Sequence, residues 1–518
     1  MGEALVPKPD LCSMHLLTSA RAPNHERSDV TLSRFARLTL PLVAAALIVP
    51  LAAAPAAGLE RPESDVDSLN STGVSVELEP SSDGDSVSRV SGPAPELNAA
   101  AAGTVTGRVL VTPIGGGSPV PATSGATLVR FWLSVGGVYQ QQGTTTTFDS
   151  DGDFSVEGLP AGTYRIEVLS FDGGAPGKAF YLDEEFWVDA DEIAFNEGAG
   201  TNLPTITVDP ITIATGRIAG ADRYATSVAI SQSLMAAGEA DVVYLVNGLG
   251  YADALSAGPA AGISNGVVLL TRPDQLPSVV ATELARLDPA RVVIAGGTSA
   301  IGSRVVNSVR SILPTADIDR IAGADRYATS RAIVADAWPE GATVVGIATG
   351  RNFPDALALG AAVGSTSGPV VLVDGARSSL DSTTRSFLTN LAPASVAIAG
   401  GPVGVSNGIQ QGLNGLSSSP SVQRFGGDDR YETARLINDA FFSELAPDYA
   451  FIATGAGFAD ALAGGPLAIG YGAPIHLSTQ RCLDAETAND IVFSFVREVY
   501  ALGGTAVLSN RVINGSAC

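Results

Sequence analysis

Three arginines and two sets of aspartates recur at matching places along the chain. Asp222, Asp325 and Asp429 each precede an arginine (Arg223, Arg326, Arg430), and Asp253, Asp355 and Asp460 each sit in a second, later block. A guanidinium presents forked donors that bind carboxylate or phosphate bidentately, so an arginine repeated three times suits an acidic polymer. Carboxylates alone suggest glycoside hydrolysis, which needs an acid and a second carboxylate beside it, although an active site copied three times would be unusual. Each Asp also stands where a helical segment begins, a place where its carboxylate would accept backbone N–H bonds as an N-cap. Repetition favours multivalent binding, in which linked weak sites gain avidity without stronger contacts.

Other chemistries fall away on residue types. Three histidines (His15, His25, His476) and three cysteines (Cys12, Cys482, Cys518) leave too few ligands for zinc, so no metal or cofactor is expected. His476 lies inside an apolar run in one copy only and reads as a core residue, which removes the base that nucleophilic catalysis would need. Ala-Gly-Gly runs occur, but without the spacing of a phosphate-binding loop, and tight strand-to-helix packing accounts for them. Asp149, Asp151 and Asp153 alternate like the start of a calcium loop, yet Pro160 stands at the twelfth position where a bidentate Glu is required, so a plain Asp-Gly turn is expected. A formal charge of −23 and a pI near 4.4 exclude duplex nucleic acid as a partner.

The elements that must hold these residues repeat as well. Arg217-Ile-Ala-Gly-Ala-Asp-Arg-Tyr-Ala-Thr recurs from Arg320 and, as Arg-Phe-Gly-Gly-Asp-Asp-Arg-Tyr-Glu-Thr, from Arg424, at spacings of 103 and 104 residues. Three blocks follow each copy: Asn247-Gly-Leu-Gly-Tyr-Ala-Asp, Thr349-Gly-Arg-Asn-Phe-Pro-Asp and Thr454-Gly-Ala-Gly-Phe-Ala-Asp; then runs from Gly266, Pro369 and Pro474; then Gly-Gly runs from Val292, Val396 and Val499. Each copy therefore has three continuous apolar runs, each followed by helical spacing; in copy one the helical segments are 224–237, 254–261 and 278–287. Continuous apolar strands alternating with helices predict a parallel or mostly parallel sheet covered on both faces. The fold class is three tandem α/β domains (211–315, 316–419, 420–518), packed as a pseudo-threefold ring or as a string.

Upstream the pattern changes. Residues 103–210 show short alternating runs from Thr106, Thr127 and Tyr164, separated by Gly, Pro and Asp, which predict an all-β antiparallel sandwich. Residues 58–102 are acidic, poor in large apolar groups, and read as a disordered tether. Arg34, Arg37, the apolar run 38–54 and the small residues after it read as a secretory signal within 1–57, with no membrane span left once it is removed. Cys482 and Cys518 then remain in an oxidising compartment and are expected to form a disulfide. Residues 103–210 carry net −10 and residues 211–518 net −7, so any anionic ligand must be held by a few placed guanidinium groups or by bridging cations.

The four blocks, in order and in three copies over 216–518, resemble the cell-wall-binding repeat type 2 family, and Asp151 to Tyr164 resembles the strand, turn and strand of carboxypeptidase-regulatory-like or Cna-B-like surface modules. The first resemblance implies a trimer-like unit that holds secreted surface proteins non-covalently to an anionic polysaccharide or teichoic-acid-like polymer of Gram-positive walls. A non-enzymatic wall anchor is the reading; a wall-polymer hydrolase using the repeated Asp residues is the alternative. Copy one departs from the family pattern with Asn247 and Tyr251-Ala, and copy three with His476, so the three sites need not be equivalent.

Overall fold

The computed structural model describes residues 75–80, 86–91, 103–113, 117–135, 138–172, 176–183, 190–251, 255–443, 445–515 and 518. The expected signal segment and Asp253 lie outside the described residues. Within 58–102, expected as a tether, β1 (Ser75–Pro80) pairs antiparallel with β2 (Ser86–Ser91), which runs parallel to β6 below.

The described residues of 103–210 are mostly β-strand, with one 3-10 turn at Tyr181–Asp183. The strands are β3 (Val105–Val111), β4 (Val120–Pro121), β5 (Thr127–Val135), β6 (Val138–Thr145), β7 (Asp153–Val156), β8 (Gly162–Ser170), β9 (Gly177–Phe180), β10 (Ile193–Phe195), β11 (Thr201–Asn202) and β12 (Ile206–Val208). One sheet runs β1-β2-β6-β5-β8-β10 with β9 beside β8; in the other, β3 is flanked by β4, β7, β11 and β12. Val105, Val109 and Phe154 of the second sheet share one core with Phe131, Tyr164 and Ile166 of the first. Two expectations change here. The pairing is not purely antiparallel, because β11 and β12 lie parallel to β3. Nor do β7 and β8 form a hairpin: β7 pairs with β3 and β8 with β5, so the Asp151–Tyr164 stretch crosses from one sheet to the other. The Asp149 carboxylate accepts from the N–H groups of Asp151 and Asp153, and Asp153 pairs with Arg108, the geometry of a plain turn.

The remainder is a closed ring. Copy one contributes β13 (Ala214–Ile218), α1 (Arg223–Leu234), β14 (Val242–Asn247), α2 (Ala257–Ile263), β15 (Gly266–Thr271), α3 (Ser278–Leu287), β16 (Arg291–Ala295) and α4 (Ser303–Ile312). Copy two follows with β17 (Asp317–Ile321), α5 (Arg326–Ala337), β18 (Val344–Thr349), α6 (Pro354–Ser365), β19 (Val370–Val373), α7 (Ser382–Leu391), β20 (Ser395–Ala399) and α8 (Asn407–Asn414). Copy three supplies β21 (Ser421–Phe425), α9 (Arg430–Phe442), β22 (Tyr449–Thr454), α10 (Ala459–Gly470), β23 (Ile475–Ser478), α11 (Ala485–Phe493), β24 (Glu498–Leu502) and α12 (Asn510–Ile513).

All three four-stranded sheets are parallel, and each takes its last strand from the next copy: β15-β14-β16-β17, β19-β18-β20-β21 and β13-β24-β22-β23. The sheets therefore do not respect the boundaries read from the repeat, and β13 pairing with β24 joins the first copy to the last, which makes a ring rather than a string. The extra strand and the helix before it (α4, α8) escaped the pattern because an edge strand such as Asp-Ile-Asp-Arg-Ile buries only partly. At the centre, α2, α6 and α10 pack against one another, and their Ala- and Gly-rich surfaces allow the close approach. Among the described residues no helix is long and apolar enough to cross a membrane.

Copy three carries two further features. Cys482 and Cys518 are bonded, with Cα atoms 5.0 Å apart, tying the C-terminal end to the loop after β23. The β region docks on the same copy: the Phe171 ring packs at a tilt against Phe493 and Phe495, and Lys178 reaches across to the Asp448 carboxylate at 2.6 Å and the Ala446 carbonyl, with Glu167 at 3.9 Å. The Lys178 and Glu167 side chains are wholly buried, so this is a desolvated charge cluster rather than a surface pair.

Candidate functional site

The first repeated block builds a helix start. Asp222 accepts from the N–H groups of Tyr224 and Ala225, Asp325 from Ala328, and Asp429 from Tyr431 and Glu432. These three are N-caps, a contact that stabilises a helix by about 1 kcal/mol each. The block's opening arginines brace the ring: Arg217 donates to the Gly503 and Leu508 carbonyls, Arg320 to those of Gly296 and Ile301, and Arg424 to that of Gly400, always in the preceding copy around the ring.

Arg223, Arg326 and Arg430 do not pair with the caps beside them. Each turns its Nη1 to the carbonyl of the glycine in its own copy's second block, Gly248, Gly350 and Gly455. The tyrosine that follows each arginine packs on that same glycine, where an added Cβ would stand 2.6–2.8 Å from the ring. The rest of the guanidinium faces the neighbouring copy. Arg430 acts electrostatically on Asp355, and Arg223 on Asp460, so both of these crevices take the arginine from one copy and the carboxylate from the preceding one.

Asp355 and Asp460 are not caps, contrary to expectation. Phe353 and Phe458 occupy the cap positions of α6 and α10 without a side-chain bond, and each Asp lies in the first turn. There the carboxylates reach the Gly-Gly loop after the adjacent strand. Gly400 and Gly503 have φ near +100°, and a Cβ on either would stand within about 2.6 Å of the Asp oxygen. In each sheet the chain leaves the central strand toward one side and returns on the other, so the loops after β18 and β20, or β22 and β24, diverge. That is the switch point at the carboxyl ends of the strands where open α/β sheets bind ligands. Burial pushes the Asp460 carboxyl up to about 6, and the Asp355 carboxyl upward as well, with Arg223 and Arg430 pulling in the opposite direction.

One cluster was not expected from the sequence, although Tyr251 stands out there as a departure from the family pattern. Tyr251, Phe353 and Phe458 meet on the pseudo-threefold axis with ring centroids 5.4–5.8 Å apart, and Arg223 and Arg326 lie over the Phe458 and Tyr251 rings. The signal was present, since each aromatic stands two residues before the repeated Asp. Among the described residues no cluster of ligating side chains could hold a metal ion.

Comparison with known proteins places this architecture. The model of cell wall binding domain 2 (CWB2) matches residues 217–306, 320–410 and 424–513, more than half of the chain. The chain belongs to the CWB2 family. It is 30% identical over 298 residues to the N-acetylmuramoyl-L-alanine amidase LytC of Bacillus subtilis (strain 168), covering 58% of this chain and 57% of that protein. It is 29% identical over 349 residues to the amidase enhancer of the same strain, covering 66% and 46%. The CWB2 chain thus spans about half the length of these curated relatives. Among solved structures, Cwp6 from Clostridium difficile superposes with a TM-score of 0.54 at 18% identity, covering 80% of this chain and 68% of that one. Cwp8 from the same organism gives 0.52 at 20%, covering 67% and 58%. At such identities the likeness is one of fold.

Proposed function

We propose that the chain is a secreted, non-enzymatic surface protein held to a Gram-positive cell wall by its CWB2 ring, which binds an anionic wall polymer in the crevices between copies and displays the 103–210 β-sandwich module outward. The observation that carries this reading is an arginine from one copy set against a carboxylate of the preceding copy, at the switch point of a parallel sheet. Among the described residues neither Arg223 with Asp460 nor Arg430 with Asp355 closes a direct ion pair, so donors remain for an acidic or hydroxyl-rich ligand. The chain's net charge repels a polyanion at long range, so retention rests on these few placed groups or on bridging cations.

Co-sedimentation with purified cell walls of the source organism tests the reading. Single Arg223→Ala, Arg326→Ala or Arg430→Ala variants should weaken retention modestly, and the triple variant by at least about tenfold, because linked sites lose avidity together. A triple variant that melts lower but sediments like wild type while folded would assign the arginines to bracing alone. Release of soluble fragments from walls by the purified ring would favour the hydrolase instead.

A further inference from the structure

At each of the three seams an arginine donates to a glycine carbonyl of its own copy, but the aromatic side chain of the preceding copy is not the same residue type throughout. Where Phe353 and Phe458 end in a ring edge, Tyr251 carries a hydroxyl, and that hydroxyl is engaged on both sides. It donates to the Arg351 carbonyl at 2.7 Å and accepts from Arg326 Nη1 at 3.4 Å. Both partners belong to copy two, so the tyrosine bridges the seam between copies one and two. The other seams have no such bridge: Arg223 and Arg430 have only the Gly248 and Gly455 carbonyls as hydrogen-bond partners among the described residues.

Resting on the wall-binding reading above, we propose that Tyr251 is a specificity-determining residue that makes the ring functionally two-plus-one. Its hydroxyl occupies a donor of Arg326 and pins the mouth of the first seam to the loop after β18 through the Arg351 carbonyl, so the acidic polymer is held chiefly at the Arg430 and Arg223 seams. A phenylalanine there would leave Arg326, like its two counterparts, with only a glycine carbonyl as hydrogen-bond partner among the described residues. The ligand class is that of the parent reading, a polymer bearing carboxylate or phosphate groups, and the prediction concerns how many seams it engages.

The experiment is a quantitative co-sedimentation series on the full chain with purified walls of the source organism, at two salt concentrations, with melting temperature as a control. Tyr251→Phe should tighten retention by at least about threefold by adding a linked site, and Phe458→Tyr or Phe353→Tyr should weaken it by a similar factor by removing one. The gain in Tyr251→Phe should shrink at higher salt, as expected for a recovered guanidinium contact. Unchanged or weaker binding of Tyr251→Phe, at an unaltered melting temperature, overturns the proposal. Tyr251→Phe that melts lower yet binds more tightly still supports it, since lost bracing cannot raise affinity. Wild-type protein that fails to sediment with walls at all sinks the wall-binding reading itself, a result distinct from a wild type that binds and a series that does not differ.

Discussion

Copies two and three have the same strand order, the same capped helix start and the same crevice, yet they do different work. Copy two is apolar where copy three is polar. Val334 and Val371 are fully buried in copy two, and their places in copy three are taken by Asn438 and His476, whose side chains meet at 3.4 Å. The residue before the first central strand is exposed Thr343 in copy two and buried Asp448 in copy three. Ala392, in the left-handed region at the end of α7, corresponds to Phe495, which receives Phe171 of the β region. A repeated fold thus tolerates specialised copies while the capped helix start and the crevice arginine stay in place.

The largest way to break that contrast is at Asp448. Asp448→Ala leaves Lys178 buried with reduced compensation and should cost about 3–5 kcal/mol, whereas Thr343→Ala should stay within about 0.5 kcal/mol; chemical denaturation measures both. Lys178 is the only lysine among the described residues, so an amine-reactive reagent followed by peptide mapping reports the same event: slow labelling in wild type, fast in Asp448→Ala. Next comes the disulfide, which copy two lacks. Replacing Cys482 and Cys518 with serine reopens a loop closed over a sequence separation of 36 and should cost roughly 3–4 kcal/mol in the chain-entropy model, read as a lower melting temperature.

The smallest effect appears only in acid. Burial holds the His476 imidazole down at about 4, below its ordinary 6.5, so the unfolded chain takes up a proton that the folded one refuses. Stability from this group is complete above pH 6.5 and is lost as pH falls toward 4, by up to about 3 kcal/mol. Asp460 works the other way: its raised value means stability is gained as pH falls through about 6. His476→Val, copying Val371, should therefore flatten the acid-side loss while leaving neutral-pH stability nearly unchanged. An acid profile identical to wild type would show that the imidazole is not the titrating group.

The ring was legible because its signals are local and repeated: apolar runs gave the central strands, and Asp before a tyrosine-containing helix gave the caps. The crevice was legible only in its parts. Arg223 and Asp460 lie 237 residues apart in sequence and meet only because the ring closes, which nothing within a single copy reveals. The role of Asp355 and Asp460 was misread for a related reason: at the start of a helix a cap and a first-turn residue share composition, and the neighbouring Gly-Gly loop decides between them. The β region was legible as strands but not as sheets, because which strand pairs with β3 depends on contacts from residues 105 to 208.

The pairing of β13 with β24 has a consequence for how such a molecule could change its copy number. In an open array, slippage between near-identical units lengthens or shortens the protein one unit at a time, and each product keeps its neighbours. Here the strand that opens the first copy completes the sheet of the last, and three inner helices fill the axis between them. A two-copy or four-copy product would have to find a new axis and a new fit for α2, α6 and α10. The count of three is set by geometry, so diversification is left to substitutions within copies, such as those at Tyr251, Asp448 and His476.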